Sequence, residues 1–312
     1  MTTLSRRSLL GATALSAFAL AACSDSGDSP VPGGPGKDQA AQFDEIVAKG
    51  PVASDDAVKA NPWASKIRSA GTLRLGGTTT SPLFCLKDPT TGKVRGFDAG
   101  ITYLLARYIF GSDDPSSKVA LTEVSVDTRE TLLINNSVDV VVATYSITEP
   151  RKKKISFAGP YYESGATIGV KDGNKGITSV EDLNGKVLVT QTNSTGLEAI
   201  KKHVPHPKDV LTFAGNAECQ AAVVQGRADA YVTDQSLLMA SAKQKGQIVV
   251  VGQPFTKDPY GIGVHHGDND AVTFINGFLR TIFDDGTWDK LWRNSFSGVI
   301  KDAEPTPPAL PA

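Results

Sequence analysis

The sequence predicts an α/β protein large enough for two lobes, on three observations. An apolar, β-branched run from Val138 to Ala143 lacks helical periodicity and reads as a strand buried on both faces of a parallel sheet. Short runs of this kind alternate along the chain with helical segments, the pattern of stacked βαβ units. About 240 residues remain once the terminal segments are set aside, enough for two lobes of ordinary domain size.

Residues 1–22 read as an address rather than as fold. Arg6 and Arg7 precede an apolar run from Leu9 to Ala22, shorter than the roughly 20 residues that span a bilayer. The run ends in Leu20-Ala21-Ala22-Cys23, which resembles a bacterial lipobox, so Cys23 is the expected lipidation site. Two acyl chains there would anchor the protein stably to a membrane. Ser5 to Leu10 also resembles a twin-arginine export signal, although paired arginines occur in ordinary signal peptides. Residues 23–40, rich in Ser, Pro and Gly at their start, are expected to form a flexible tether. Phe43, Ile46 and Val47 at helical spacing, followed by Trp63 and Ile67, predict an N-terminal helical extension over 41–70, with Trp63 as a buried anchor.

The first strand is Thr72 to Gly76, followed by a run of hydroxyls from Thr78 to Ser81 and then by Phe84, which suits either the core or the rim of a cleft. Asp98 is the expected cap of a helix over Ala99–Ile109. A strand over Ala120–Val126 leads to Arg129, in the first turn of the next helix, with Glu130 or solvent as its ordinary partner. The central strand then breaks into Thr144, Tyr145 and Ser146. Ligands of open α/β sheets sit off such carboxyl ends. Arg151 follows, and its planar fork can grip a carboxylate with two parallel hydrogen bonds. It can equally head a solvated basic run with Lys152, Lys153 and Lys154.

The second lobe is expected from strands over Ala166–Val170, Lys186–Thr190, Asp209–Phe213, Ala230–Thr233 and Ile248–Val251. Ser194 and Thr195 open a helix whose free amides and dipole suit an anion, although Ser194 can serve as a plain N-cap. Gln191 ends the strand before them. Asp234 ends another strand, where it can cap the next helix or face a ligand. Helices over Asp270–Asp284 and Thr287–Phe296 close the first lobe, and the four prolines of residues 304–312 predict a disordered tail.

Val138 to Gly165 resembles the signature of the family-3 extracellular solute-binding proteins, the polar amino-acid receptors of ABC importers. Thr148 to Arg151 reads T-x-x-R, and Phe157 to Tyr161 reads F-x-x-P-Y. Gly92–Ala99, Ser179–Thr195, Ala228–Asp234 and Pro259–Val264 with Asp285–Trp288 are similar to the family in the same order. The resemblance implies a type II periplasmic-binding-protein fold with the ligand cleft between lobe one (71–165 and 259–303) and lobe two (166–258). Two crossovers with few contacts across them make a hinge.

The resemblance also implies roles. Arg151, Thr144 and Ser146 would hold the α-carboxylate of an amino acid, and Asp234 its ammonium, because a buried charge without a partner is costly. Ser194 and Thr195 would add contacts from lobe two. Gln191 could reach the distal group of the ligand. Phe84 is a candidate cover for its aliphatic part, since Ser81 stands where many relatives carry an aromatic residue. Arg129 matches the arginine that pairs with the side-chain carboxylate in acidic-amino-acid binders. The expected protein is a monomeric lipoprotein on the extracytoplasmic face of the cell membrane, delivering glutamate, or else aspartate, to the permease subunits of an ABC importer. Glutamine or another polar amino acid is the alternative. An enzyme resembling the cyclohexadienyl dehydratases is the rival of another class, with Glu149 and Glu163 as the nearest proton donors.

Other chemistries find little support. The net charge of −1, with 40% hydrophobic and 21% charged residues, gives no basic excess for nucleic acid. No cofactor or metal is expected: His265 and His266 are adjacent and point to opposite faces of a strand, while His203 and His206 flank Pro205. Cys85 and Cys219 fall in different lobes, where a disulfide would pin the hinge.

Overall fold

In the computed structural model of the protein, residues 36–245, 247–300 and 304–311 are described. The signal peptide, Cys23 and most of the expected tether lie outside them. Among the described residues, three helices come first, α1 (Lys37–Ala48), α2 (Asp55–Ala60) and α3 (Pro62–Ala70). The first begins inside the expected tether, because Phe43 and Val47 give it an apolar face to bury. Trp63 packs against Phe274 with ring centres 6.0 Å apart. Asp44 pairs with Arg95 at 2.7 Å and with Lys93 at 3.3 Å, fastening the extension to the first lobe.

Strand β1 (Leu73–Gly77) is followed by a small antiparallel sheet of β2 (Thr80–Ser81), β3 (Cys85–Lys87) and β4 (Val94–Arg95), then by α4 (Phe97–Phe110), β5 (Val119–Glu123) and α5 (Arg129–Ile134). Next come β6 (Val140–Val141), α6 (Glu149–Lys152) and the long β7 (Ser156–Ser164). The second lobe holds β8 (Ala166–Lys171), β9 (Val187–Gln191), α7 (Thr195–His203), β10 (Asp209–Phe213), α8 (Asn216–Val224), β11 (Ala230–Asp234), α9 (Gln235–Lys245) and β12 (Ile248–Val251). The chain then returns through β13 (Asp258–Val264) to α10 (Asn269–Asp284) and α11 (Thr287–Phe296).

The two larger sheets share one plan. Lobe one is ordered β5-β1-β6-β13-β7 and lobe two β10-β9-β11-β8-β12. In each, three parallel strands carry the helical crossovers, and two antiparallel strands complete the edge. The central strand of lobe one is shorter than expected, because only Val140 and Val141 keep the ladder before the chain turns away.

Two crossovers join the lobes, from β7 through Gly165 to β8 and from β12 to β13. They run so close that a Cβ on Gly165 would lie 2.1 Å from the carbonyl oxygen of Thr256. Glycine is required there by the approach of the second crossover. Thr256 ties the pair together: its Oγ1 accepts the Ala166 amide hydrogen at 2.6 Å and donates to Asp258 Oδ2 at 2.5 Å.

Residues 304–311 do not form the disordered tail expected of their prolines. Leu310 packs against the core of lobe one, and Arg293 pairs with Glu304 at 2.7 Å. Cys85 and Cys219 are free thiols, each buried in a different lobe. Among the described residues, no helix is long and apolar enough to cross a membrane.

Candidate ligand-binding site

Where β6 ends, Thr144 takes a left-handed conformation at φ 45°, uncommon for a β-branched residue. A buried carboxylate holds it there. Asp98 Oδ2 accepts the Thr144 amide hydrogen at 2.8 Å, while Oδ1 accepts the Tyr161 hydroxyl hydrogen at 2.7 Å. Asp98 is therefore not the helix cap expected from its position: α4 starts at Phe97 with Gly96 at its N-cap, and two donors from elsewhere in lobe one claim the carboxylate. Burial pushes this carboxyl up to about 6, against the pull of those two hydrogen bonds and of Arg129.

The turn from Ala143 to Ser146 gathers two arginines. Arg151 is buried, unlike the three exposed lysines after it, so it does not belong to a solvated run. Its Nη1 donates to the Ser146 carbonyl at 2.8 Å. Arg129 is buried as well, and its Nη1 donates to the Ala143 carbonyl at 3.0 Å. Glu130 does not pair with it, but with Lys154 at 2.8 Å. Burial first, and Arg151 second, lower the Arg129 guanidinium to about 9, leaving it protonated at neutral pH. Both guanidiniums lie over the Tyr145 ring, with central carbons 3.9 Å (Arg129) and 5.1 Å (Arg151) from its centre.

Lobe two faces them with Asp234 at the end of β11. It is buried, and its Oδ2 accepts the Tyr260 hydroxyl hydrogen at 2.6 Å. Burial, and then the nearby Asp258, push its carboxyl up to about 6. Ser194 caps α7, accepting the Leu197 amide hydrogen at 3.3 Å and donating to the Gln191 carbonyl at 2.7 Å. Gln191 Nε2 donates to the Ala214 carbonyl at 3.2 Å. Asn193, which sequence reasoning passed over, bridges the lobes. Its φ of 56° suits asparagine, its Nδ2 donates to Asp127 Oδ1 at 2.6 Å, and its carbonyl accepts from Arg151 Nη2 at 3.3 Å.

Two cavities open between the lobes. One, of about 530 Å³, is lined by Ser81, Arg129, Thr144 and, across the gap, Gln191 and Asn216. The other, of about 1300 Å³, is lined by Arg151, Asn193, Ser194, Thr195 and Asp258. Arg129, Thr144 and Gln191 thus face one opening and Arg151, Ser194 and Thr195 the other, with the Tyr145 ring bridging the two arginines, while Ser146 and Asp234 line neither. Phe84 reaches neither. It is fully buried, with ring centres 5.6 Å from Tyr162 and 5.3 Å from Phe296, so it is core and not a ligand cover.

Five buried side-chain atoms lack a partner among the described residues. Ser81 Oγ, Arg129 Nε, Tyr145 Oη and Asp234 Oδ1 are four of them, so most of the unmet polar demand falls on this region. Unpartnered buried groups cost free energy unless something fills them. Glu149 and Glu163 offer no buried acid: both are exposed, and Lys152 pairs with Glu149 at 2.9 Å and holds its carboxyl below the usual range. No group of three or more potential metal ligands occurs among the described residues.

Comparison with known proteins bears on this site. The profile of the family described as "Bacterial extracellular solute-binding proteins, family 3" matches residues 73–297. An ABC transporter glutamine-binding protein of Bacillus subtilis is 35% identical over 228 residues, 73% of this chain and 82% of the relative. A glutamate-binding protein of Corynebacterium glutamicum is 28% identical over 310 residues, 95% of this chain and 93% of the relative. Among solved structures, an ancestral amino acid-binding protein described as a precursor of cyclohexadienyl dehydratase superposes with a TM-score of 0.68 at 35% identity, covering 75% of this chain and 99% of that one.

Proposed function

The chain belongs to the family 3 bacterial extracellular solute-binding proteins, and from that premise we propose that it captures an acidic amino acid, glutamate or the shorter aspartate, for delivery to an ABC importer. The observation that carries this reading is the pair of buried guanidiniums whose hydrogen bonds go to carbonyls, those of Ala143, Ser146 and Asn193. Two buried cations, with Asp234 opposite them, suit a ligand with two carboxylates and one ammonium. Arg151, with Thr144 and Ser146, holds the α-carboxylate. Asp234 holds the ammonium through its free Oδ1, and Arg129 holds the distal carboxylate. Ser194 and Thr195 close over the ligand from lobe two, and Gln191 lies beside its distal end.

Glutamine is the second reading. It is favoured by the Bacillus relative and by Asp98, whose charge offsets part of that on Arg129. Titration calorimetry of the protein lacking residues 1–23, freed of carried-over ligand, against glutamate, aspartate, glutamine and asparagine separates the two. Tight binding of an acidic member, with the amides much weaker, is the expected result. If none of the four binds, the ligand assignment is wrong and dehydratase activity is the next assay. Arg129→Ala should weaken glutamate far more than glutamine; equal losses would remove Arg129 from selectivity.

Binding shifts the equilibrium between open and closed forms by the ligand's differential affinity for the closed one. Asn193 belongs to that balance, since its two bonds form only when the lobes meet. Asn193→Ala is expected to raise the Kd by roughly three- to tenfold, the worth of about one hydrogen bond. An unchanged Kd would show that the bridge contributes nothing to closure. In the cell we place the protein on the extracytoplasmic face of the membrane, anchored through lipidated Cys23, monomeric, and acting as a receptor rather than an enzyme. Labelling with a radioactive fatty acid, lost in Cys23→Ala, tests the anchor.

A further inference from the structure

We propose that Tyr145 is the positioning residue that sets the spacing of Arg129 and Arg151, and so decides how strongly the site prefers an acidic ligand over its amide. This rests on the reading of both arginines as ligand contacts. One four-residue turn supplies every element of the arrangement. The Ala143 carbonyl holds Arg129, the Ser146 carbonyl holds Arg151, and between them the Tyr145 ring lies under both guanidiniums at 3.9 and 5.1 Å.

Two like charges buried this close repel, and carbonyl oxygens alone do not fix how far apart the guanidinium planes settle. An aromatic face does, because its negative quadrupole attracts each cation and its flat surface orients a planar guanidinium by stacking. The ring is itself immobilised. Tyr145 is fully buried, and Phe157 meets it edge-on with ring centres 4.9 Å apart. The backbone on its N-terminal side is fixed too, by the Asp98 bond to the Thr144 amide. A leucine or methionine at 145 would fill the space without supplying either the quadrupole or the plane. Among the described residues, Arg129 makes a single side-chain hydrogen bond and leaves its Nε unpartnered. It therefore depends on the ring more than Arg151, which has two carbonyl partners.

The test uses Tyr145→Phe, which keeps the ring, and Tyr145→Met, which removes it, in the protein lacking residues 1–23. Tyr145→Leu serves if the methionine variant does not fold. Calorimetric Kd values for glutamate and glutamine are the first readout. Tyr145→Phe should keep the wild-type ratio within about threefold, whereas Tyr145→Met should reduce it about tenfold or more, mainly through loss of glutamate affinity. The second readout needs no ligand: in NMR spectra of arginine side chains, ring-current shifts on Arg129 and Arg151 should persist in Tyr145→Phe and vanish in Tyr145→Met.

An unchanged ratio in Tyr145→Met overturns the specificity role. Arginine signals that do not move overturn the positioning role. A loss in Tyr145→Phe equal to that in Tyr145→Met assigns the effect to the hydroxyl and overturns the ring. Should the wild type show no preference for glutamate, the acidic-ligand reading fails by itself, and the arginine signals still decide whether the ring positions the guanidiniums.

Discussion

Replacing Asp234 with asparagine is expected to cost roughly 2–5 kcal/mol of amino-acid binding, about thirty- to several-thousandfold in Kd, with the fold intact. Asparagine keeps the shape and can still accept from the Tyr260 hydroxyl, which now reaches Oδ2 at 2.6 Å. What it removes is the charge that we propose faces the ligand's ammonium, which would then sit buried and unpaired. Stability should not fall. The carboxyl titrates near 6 because the fold disfavours its ionised form, so its contribution to stability is greatest at low pH and is lost as pH rises from the ordinary carboxylate range through 6. The neutral side chain escapes that loss at pH 7. Affinity of the unmodified protein runs the other way: an ammonium needs the carboxylate, so Kd should rise about tenfold per pH unit below 6. Calorimetry from pH 5 to 8 on both proteins reads this. Tight, pH-independent binding by Asp234→Asn would end the assignment of Asp234 to the ammonium.

Trp288→Ala should lower stability by about 3–5 kcal/mol, the usual cost of deleting a buried tryptophan. Trp288 is 1% exposed, its ring centre lies 5.8 Å from that of Phe97, and its indole N–H donates to the Tyr161 carbonyl at 2.8 Å. Tyr161 in turn donates to Asp98, and Asp98 holds the turn at Thr144. The cavity thus opens three hydrogen bonds away from the turn that holds Arg129 and Arg151, and glutamate affinity should fall together with the urea midpoint. A loss below about 1 kcal/mol would mean that the surrounding rings collapse into the space.

How much of this was legible in the sequence depended on whether a residue's fate is decided locally. The α/β alternation was readable, because strands such as Asp209–Phe213 and helices such as Thr287–Phe296 carry their own periodicity. Strand β7 was not. Gly159 and Pro160 interrupt its sequence signal, and its partner β13 lies about a hundred residues away. Phe84 read equally well as cleft or core, since one aromatic at a strand end has no period to orient it; Tyr162 and Phe296 decide the matter from distant positions. Asp98 has the composition of a cap, and only the meeting of α4 with Thr144 and Tyr161 makes it a buried acceptor. Tyr145 stood among hydroxyl residues in the sequence, while the structure uses its ring.

The separate burial of Cys85 and Cys219 gives each lobe its own internal clock. A sequestered thiol reacts only when its surroundings open. With Cys23 removed, pulses of an alkylating reagent followed by peptide mapping would therefore time the opening of the two halves independently. They would show whether ligand slows both halves together or guards one of them first.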